Sequence, residues 1–178
     1  MLAARGAWAV LRKEHAQIRR LLDSIAESLN GGQWRQPGAA LGQLRERIEA
    51  LKAFDHSQHR PKGAALMGSL RARSAEADRL VAALEADRER DDELLDRALA
   101  KLNAVAVGEQ SVCPDIEALL AQHRERVLHQ VEQEETLLCE QSEQLLTADE
   151  WSHVVSSISS VLYPRKKVAD RESEAPPE

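Results

Sequence analysis

Apolar residues recur at alternating steps of three and four along most of the chain, which is the periodicity of an amphipathic helix. The first such stripe runs from Trp8 to Leu29 and ends at Asn30-Gly31-Gly32, a strong stop signal. A second stripe follows Pro37-Gly38 and continues, in a less regular form, to Leu70. The first part of the chain is therefore predicted to form two long helices.

The second half of the chain predicts two further long helices. Ser74 is a favourable N-cap for the third, whose apolar stripe reaches Leu102. A loop is predicted over residues 104–113, and Pro114 then starts the fourth helix in the position that proline favours. A capping box at residues 147–150 predicts a short fifth helix near the C-terminus.

These elements predict an all-α fold, an up-down-up-down four-helix bundle with a short fifth C-terminal helix. The bundle is expected to cover residues 1–163, and residues 164–178 form a polar tail expected to be disordered. Composition agrees, because the chain is 43% apolar and 30% charged but only 3% aromatic. A sheet protein would need more β-branched and aromatic residues.

Charge and cysteine content narrow the classes of function. The formal net charge is −6 with acids and bases interspersed, which argues against a nucleic-acid partner. Cys113 and Cys139 are too few for a disulfide framework and are interpreted as unrelated reduced thiols, whose role the sequence does not assign. The N-terminus is too short and interrupted for a signal peptide or membrane span, so a cytoplasmic protein without a membrane partner is expected.

Polar residues interrupt the apolar stripe of every long helix. They are His15, His59, Arg88 with Asp91, and His123 with Glu134. Burying such groups without partners costs about 2–7 kcal/mol each, so they must pair, bind a metal ion or reach solvent. A single histidine on a helix face is usually a satisfied core residue. Interruptions in all four helices instead favour a shared polar or metal site inside the bundle.

Several short words along the chain resemble the bacterial hemerythrin HHE family. Leu11-Arg12-Lys13-Glu14-His15 is similar to the motif of its first helix, and His59-Arg60-Pro61-Lys62-Gly63 to that of its second. The link of residues 70–77 and the stretch from Glu134 to Trp151 also resemble the family. The resemblance covers most of residues 8–155 and implies a bundle with a metal site between its helices.

Carried over residue by residue, the resemblance implies an incomplete ligand set. His15, His59 and Glu134 stand at family ligand positions. Gly63 stands where the family has a glutamate, while Arg88 and Gln130 stand where it has histidines. Reversible oxygen binding at two irons is therefore not expected. A single ion, with iron as a possible metal, or no metal at all remain as alternatives.

Other polar residues near these positions are given narrower roles. His56, Asp91 and His123 are kept as helper ligands, whereas His129 should point outward because one residue turns a helix by about 100°. Arg88 always carries charge and would repel a metal cation, so it is expected to pair with Glu134 or Asp91 and replace the metal charge. Lys62 could do the same from the second helix.

Three functions stay open on the sequence alone. The first is a divergent hemerythrin-like protein that binds one metal ion or small ligand in its core. The second is a metal-free bundle that acts as an interaction or regulatory protein. A third, less supported, is an enzyme such as a small-molecule oxidase or a peroxide-handling protein. A haem bound through His15 or His59 is a further alternative, but no feature of the sequence favours it. A homodimer is compatible with such a bundle.

Overall fold

Four long antiparallel helices form the protein, which the computed structural model describes over residues 2–162. α1 covers Leu2–Asn30, and α4 covers Ala75–Ala106. The second long helix consists of α2 (Ala39–Phe54), a π-helical turn (Asp55–His59) and α3 (Arg60–Leu70). The fourth consists of α5 (Cys113–Gln133), a π-helical turn (Glu134–Leu138) and α6 (Cys139–Leu145), and α7 (Ala148–Leu162) follows. Short 3₁₀ turns lie at Gln33–Arg35 and Gln110–Val112.

The helices pack as a ring, because α1 contacts α2 and α5 while α4 also contacts α2 and α5. The fifth helix, α7, packs across α1 and α3 at one end. Within the described residues the regular secondary structure is entirely helical and contains no strand, so the predicted all-α bundle is confirmed. No helix in this part of the chain combines the length and apolarity needed to cross a bilayer.

The predicted helix starts agree with the capping contacts. The Ser74 hydroxyl accepts a hydrogen bond from the backbone N–H of Ala77 at 3.0 Å and so satisfies one free donor at the start of α4. Before α7, the Glu150 carboxylate accepts from the backbone N–H of Thr147 at 2.8 Å, as a capping box requires.

Two predicted boundaries were wrong. α1 begins at Leu2 and not at Trp8, because Ala4 and Ala7 are buried in the same core as residues of α7 and so extend the apolar face. α4 continues to Ala106, into the predicted loop, because Val105 is fully buried in the opposite core. The predicted disordered tail, residues 164–178, lies outside the described residues.

The core has two apolar regions. One contains Ile18 of α1 and Leu120 of α5, and it is closed by Trp34, a fully buried residue in the first 3₁₀ turn. The other contains Leu11 of α1 and Trp151 of α7. On every long helix, buried polar side chains separate the residues of one apolar region from those of the other. Eight of them are Glu14, His15, His59, Lys62, Arg88, Asp91, Gln130 and Glu134. We call this set the polar layer.

Candidate metal centre

Three potential metal ligands converge in the polar layer. His15 lies on α1, His59 ends the first π-helical turn and Glu134 begins the second. Each offers one ligand atom within 4.8 Å of the other two, and all three side chains are buried. The two imidazole rings meet edge to face, with centroids 5.0 Å apart.

The π-helical turns help to place two of these residues. The backbone N–H of Arg60 bonds to the carbonyl of Asp55, and that of Cys139 to the carbonyl of Glu134, each five residues earlier. Such turns hold one extra residue and recur at functional sites, because they rotate a side chain away from the regular helical face. The irregular apolar pattern after Leu51 was the only sequence indication of the first one.

The Glu134 carboxylate lies at the centre of the site, and its two oxygens have different partners. Oε2 lies 3.1 Å from Nε2 of His15 and 3.5 Å from Nε2 of His59. Oε1 accepts hydrogen bonds from Nη2 of Arg88 at 3.1 Å and from Nε2 of Gln130 at 3.2 Å. The carboxylate therefore separates an imidazole side from a guanidinium side.

Two further carboxylates lie behind the imidazoles. Oε1 of Glu135 lies 2.9 Å from Nδ1 of His15, and Arg19 holds the same carboxylate at 3.0 Å. Oε2 of Glu14 lies 3.6 Å from Nδ1 of His59, too far for a hydrogen bond, and neither of these two atoms has another partner. Sequence reasoning assigned no role to Glu14 or Glu135, although both lie in the family-like words, next to a proposed ligand.

The charges in the polar layer shift the pKa values of its members. Burial alone lowers the pKa of His59, but the attraction of Glu134, with a smaller effect from Glu14, outweighs it and raises that pKa to about 9. Burial raises the pKa of Glu134, yet His59, His15 and Arg88 hold it well below its ordinary value. At neutral pH, without a metal, the site is thus an ionised carboxylate between two cations, His59 and Arg88.

Arg88 fills space that a larger residue at position 63 would need. A Cβ atom built on Gly63 would lie 2.7 Å from Nη2 of Arg88, far inside van der Waals contact. Arg88 is only 8% exposed and its guanidinium bonds to Glu134, so it is held in this place. The two departures from the family pattern, Gly63 and Arg88, therefore fit each other sterically.

Asp91 and Lys62 have other partners than the sequence predicted for them. Asp91 accepts from Nε of Arg126 at 2.9 Å and does not pair with Arg88, because it lies almost one helical turn further along α4. Lys62, expected to neutralise Glu134 or Asp91, is fully buried and pairs instead with Glu14. Asp91 is therefore not the partner of Arg88, and Lys62 is not a partner of Glu134.

The three helper candidates do not join the His15, His59 and Glu134 cluster. His56 is exposed and lies 2.9 Å from a carboxylate oxygen of Asp92. Asp91 is held by Arg126. His123 is buried two turns before Gln130, among apolar residues that lower its pKa to about 4 by desolvation. His129 is exposed, as predicted.

Comparison with known proteins identifies the family. A model of the hemerythrin HHE cation binding domain matches residues 6–141, which contain every residue of the polar layer. Searches of curated proteins and of solved structures give no match to this chain. The family match spans most of the sequence, and a buried cluster of histidine and glutamate lies inside it. The chain therefore belongs to the hemerythrin HHE cation-binding domain family.

Proposed function

We propose that this chain binds one divalent metal ion, with iron(II) as the first candidate, through His15, His59 and Glu134. The observation that carries the proposal is the division of the Glu134 carboxylate. Its Oε2 faces Nε2 of both histidines, at 3.1 and 3.5 Å, whereas its Oε1 is already bonded to Arg88 at 3.1 Å. One oxygen is thus left for a metal ion and the other is paired with a cation.

The donor set fits a single ion. Two imidazoles and one carboxylate leave further coordination positions open for a small ligand, and this set is typical of iron(II). Metal-bound imidazoles usually donate their second N–H to a carboxylate, which orients the ring. Glu135 is placed to do this for His15 at 2.9 Å, and a small movement of Glu14 from 3.6 Å would do it for His59. The unpartnered Nδ1 of His59 supports this assignment.

Arg88 is the reason for proposing one ion and not two. Its guanidinium keeps its charge under all ordinary conditions, so a divalent ion beside it would be repelled. It also occupies the guanidinium side of Glu134 together with Gln130, where the family pattern has a histidine. We infer that Arg88 replaces the charge of a second metal.

A metal-free role is the alternative, and one observation favours it. Glu134 is already neutralised by Arg88 and by His59, whose pKa of about 9 keeps it protonated at neutral pH. The fully buried Lys62 likewise pairs with Glu14. A polar layer so paired can hold the bundle together without a metal, and the protein would then act as an interaction or regulatory partner.

Anaerobic titration of the metal-free protein with iron(II), followed by calorimetry and elemental analysis, separates these proposals. We expect one equivalent to bind, with release of the His59 proton, because imidazole must be deprotonated to bind a metal. His15→Gln and Glu134→Gln should abolish binding. The control is His129→Gln, an exposed histidine on the same helix as the ligand region, which should leave it unchanged. Two equivalents would refute the role of Arg88, and none would favour the metal-free role.

A further inference from the structure

Lys62 is a fully buried lysine whose ammonium group has a complete set of hydrogen-bond partners. It donates to Oε1 of Glu14, to the backbone carbonyl of Gln58 at 3.0 Å and to the side-chain oxygen of Gln58 at 3.4 Å. An ammonium group has three donors, so none is left without a partner. The contacts with Gln58, on the same long helix, hold the ammonium group in place, and the ammonium group holds the Glu14 carboxylate of α1.

The Glu14 carboxylate lies between Lys62 and His59 but is bonded only to Lys62. Lys62 follows His59 by three residues, the spacing that brings two side chains to one face of a helix. While Oε1 bonds to the ammonium group, Oε2 lies 3.6 Å from Nδ1 of His59, beyond hydrogen-bond distance. Neither Oε2 nor Nδ1 has a hydrogen-bond partner within residues 2–162. The position of the carboxylate thus satisfies the lysine and leaves the imidazole without an acceptor.

This arrangement opposes metal binding in two ways. A metal ion on Nε2 of His59 leaves Nδ1–H as a buried donor that needs an acceptor, and Glu14 must move toward it and strain its bond to Lys62. The buried ammonium group is also a positive charge near the site, and like charges repel more strongly where water is excluded. Because the two effects have the same sign, the lysine should weaken the binding of a metal cation.

We infer that Lys62 sets the metal affinity of the site by keeping Glu14 bonded to itself and not to His59. The inference rests on the metal site proposed above. Lys62 is a positioning residue and not a ligand, since it acts on His59 through Glu14. The wild-type protein therefore holds a divalent ion less tightly than its three ligands would without this lysine.

Lys62→Met tests the inference, because methionine is also unbranched but carries neither a charge nor a donor. Without the ammonium group, Glu14 is free to accept a hydrogen bond from Nδ1–H of His59. Zinc(II) is titrated into the complete metal-free chain with a competing chelator and followed by calorimetry. We expect it to bind at least about tenfold tighter, as is typical of contacts to a metal-bound imidazole. The matched control, Lys52→Met on the same long helix, removes a lysine that pairs with the exposed Asp96 and should leave the affinity unchanged.

A double variant shows whether Lys62 acts through Glu14. Lys62→Met combined with Glu14→Met replaces a buried ion pair with an apolar pair of similar volume, a change that proteins often tolerate. Nδ1–H of His59 then has no carboxylate to bond to. The double variant should therefore lose the gain of Lys62→Met and bind zinc(II) no more tightly than the wild type. If it keeps the tighter binding, Lys62 does not act through Glu14.

NMR of the metal-free proteins gives a measurement that does not depend on metal binding. In Lys62→Met the proton on Nδ1 of His59 should move downfield and exchange more slowly with water than in the wild type, because it is then bonded to Glu14. In the wild type, zinc(II) should shift the ammonium signal of Lys62 as Glu14 moves toward His59. This last measurement tests the same inference if Lys62→Met does not fold.

Each result supports or overturns the inference. Tighter zinc(II) binding in Lys62→Met, its loss in the double variant and the downfield Nδ1 proton support it. Equal affinities for the wild type and Lys62→Met, an unshifted Nδ1 proton, or a Lys62 signal that zinc(II) leaves unmoved overturns it. If the wild type binds no zinc(II), the metal proposal fails, whereas the Nδ1 proton still decides whether Lys62 keeps Glu14 from His59.

Discussion

Gly63→Ala should destabilise the wild-type protein but stabilise a variant in which Arg88 is replaced by alanine. Within a helix, alanine is favoured over glycine by about 0.5–1 kcal/mol, because glycine loses more backbone entropy on folding. Gly63 lies inside α3, so this gain applies to it. In the wild-type protein, however, the new Cβ would lie 2.7 Å from Nη2 of Arg88, whereas real Cβ atoms keep at least 3.0 Å from such neighbours.

The size of the destabilisation depends on how far the hydrogen bond between Arg88 and Glu134 is weakened. It has to move away from position 63, and its 3.1 Å hydrogen bond to Glu134 lengthens or bends as it does so. A hydrogen bond to a charged group contributes about 1.5–3 kcal/mol, so losing much of it outweighs the helical gain. We expect Gly63→Ala to destabilise the wild type by about 1–2 kcal/mol and to stabilise Arg88→Ala by up to about 1 kcal/mol.

Urea denaturation of the four proteins of this double-mutant cycle measures the coupling, provided that the m-value stays constant. Gly68→Ala is the matched control, since Gly68 lies on the same helix and a Cβ there would meet nothing within 4 Å. It should stabilise both backgrounds equally. If Gly63→Ala stabilises the wild type as much as Gly68→Ala does, then the guanidinium is not held against Gly63 and the steric argument fails.

Three further predictions concern the same site. Arg88→Ala alone should lower the free energy of unfolding by about 3–5 kcal/mol in urea denaturation, because it breaks a buried ion pair and removes one of the cations that neutralise the Glu134 carboxylate; an unchanged midpoint would refute the charge-replacement account. The folded pKa of His59, about 9, lies above its ordinary value of 6.5, so its stabilising contribution is complete below pH 6.5 and is lost as pH rises through 9. That contribution is about 3 kcal/mol, and denaturation across pH 6–10 should show it in the wild type but not in His59→Gln. The triple variant Arg88→His, Gly63→Glu and Gln130→His should bind a second metal equivalent, and elemental analysis that finds one or none would contradict this.

Local sequence patterns determined the secondary structure and the family. The three-four apolar spacing predicts a helix wherever a buried stripe is needed, and this holds from Trp8 to Leu145 with few exceptions. Capping residues such as Ser74 and Thr147 act on the first turn of their own helix, so their effect needs no distant partner. Boundaries at Leu2 and Ala106 were missed, because packing against other helices extends α1 and α4 beyond what local signals require.

The polar layer was only partly predictable. Its members could be named, since a charged or imidazole side chain at a core position stands out from the leucines around it. Their partners could not, because a helical pattern gives the face of a side chain but neither its height nor its reach toward the next helix. Arg88 therefore had two candidate acids, and packing assigned it Glu134 while Arg126 took Asp91. The same limit applied to Lys62, which pairs with Glu14.

Only the tertiary structure decided how the Glu134 carboxylate is shared between its neighbours. The sequence by itself determined four amphipathic helices and the positions at which their polar residues interrupt the core. Two π-helical turns and the packing of four helices then set which atoms meet, so that one oxygen faces His15 and His59 and the other faces Arg88. These contacts join residues as much as 119 positions apart, and their geometry depends on every helix between them. Local propensity acts over a few residues and cannot specify it.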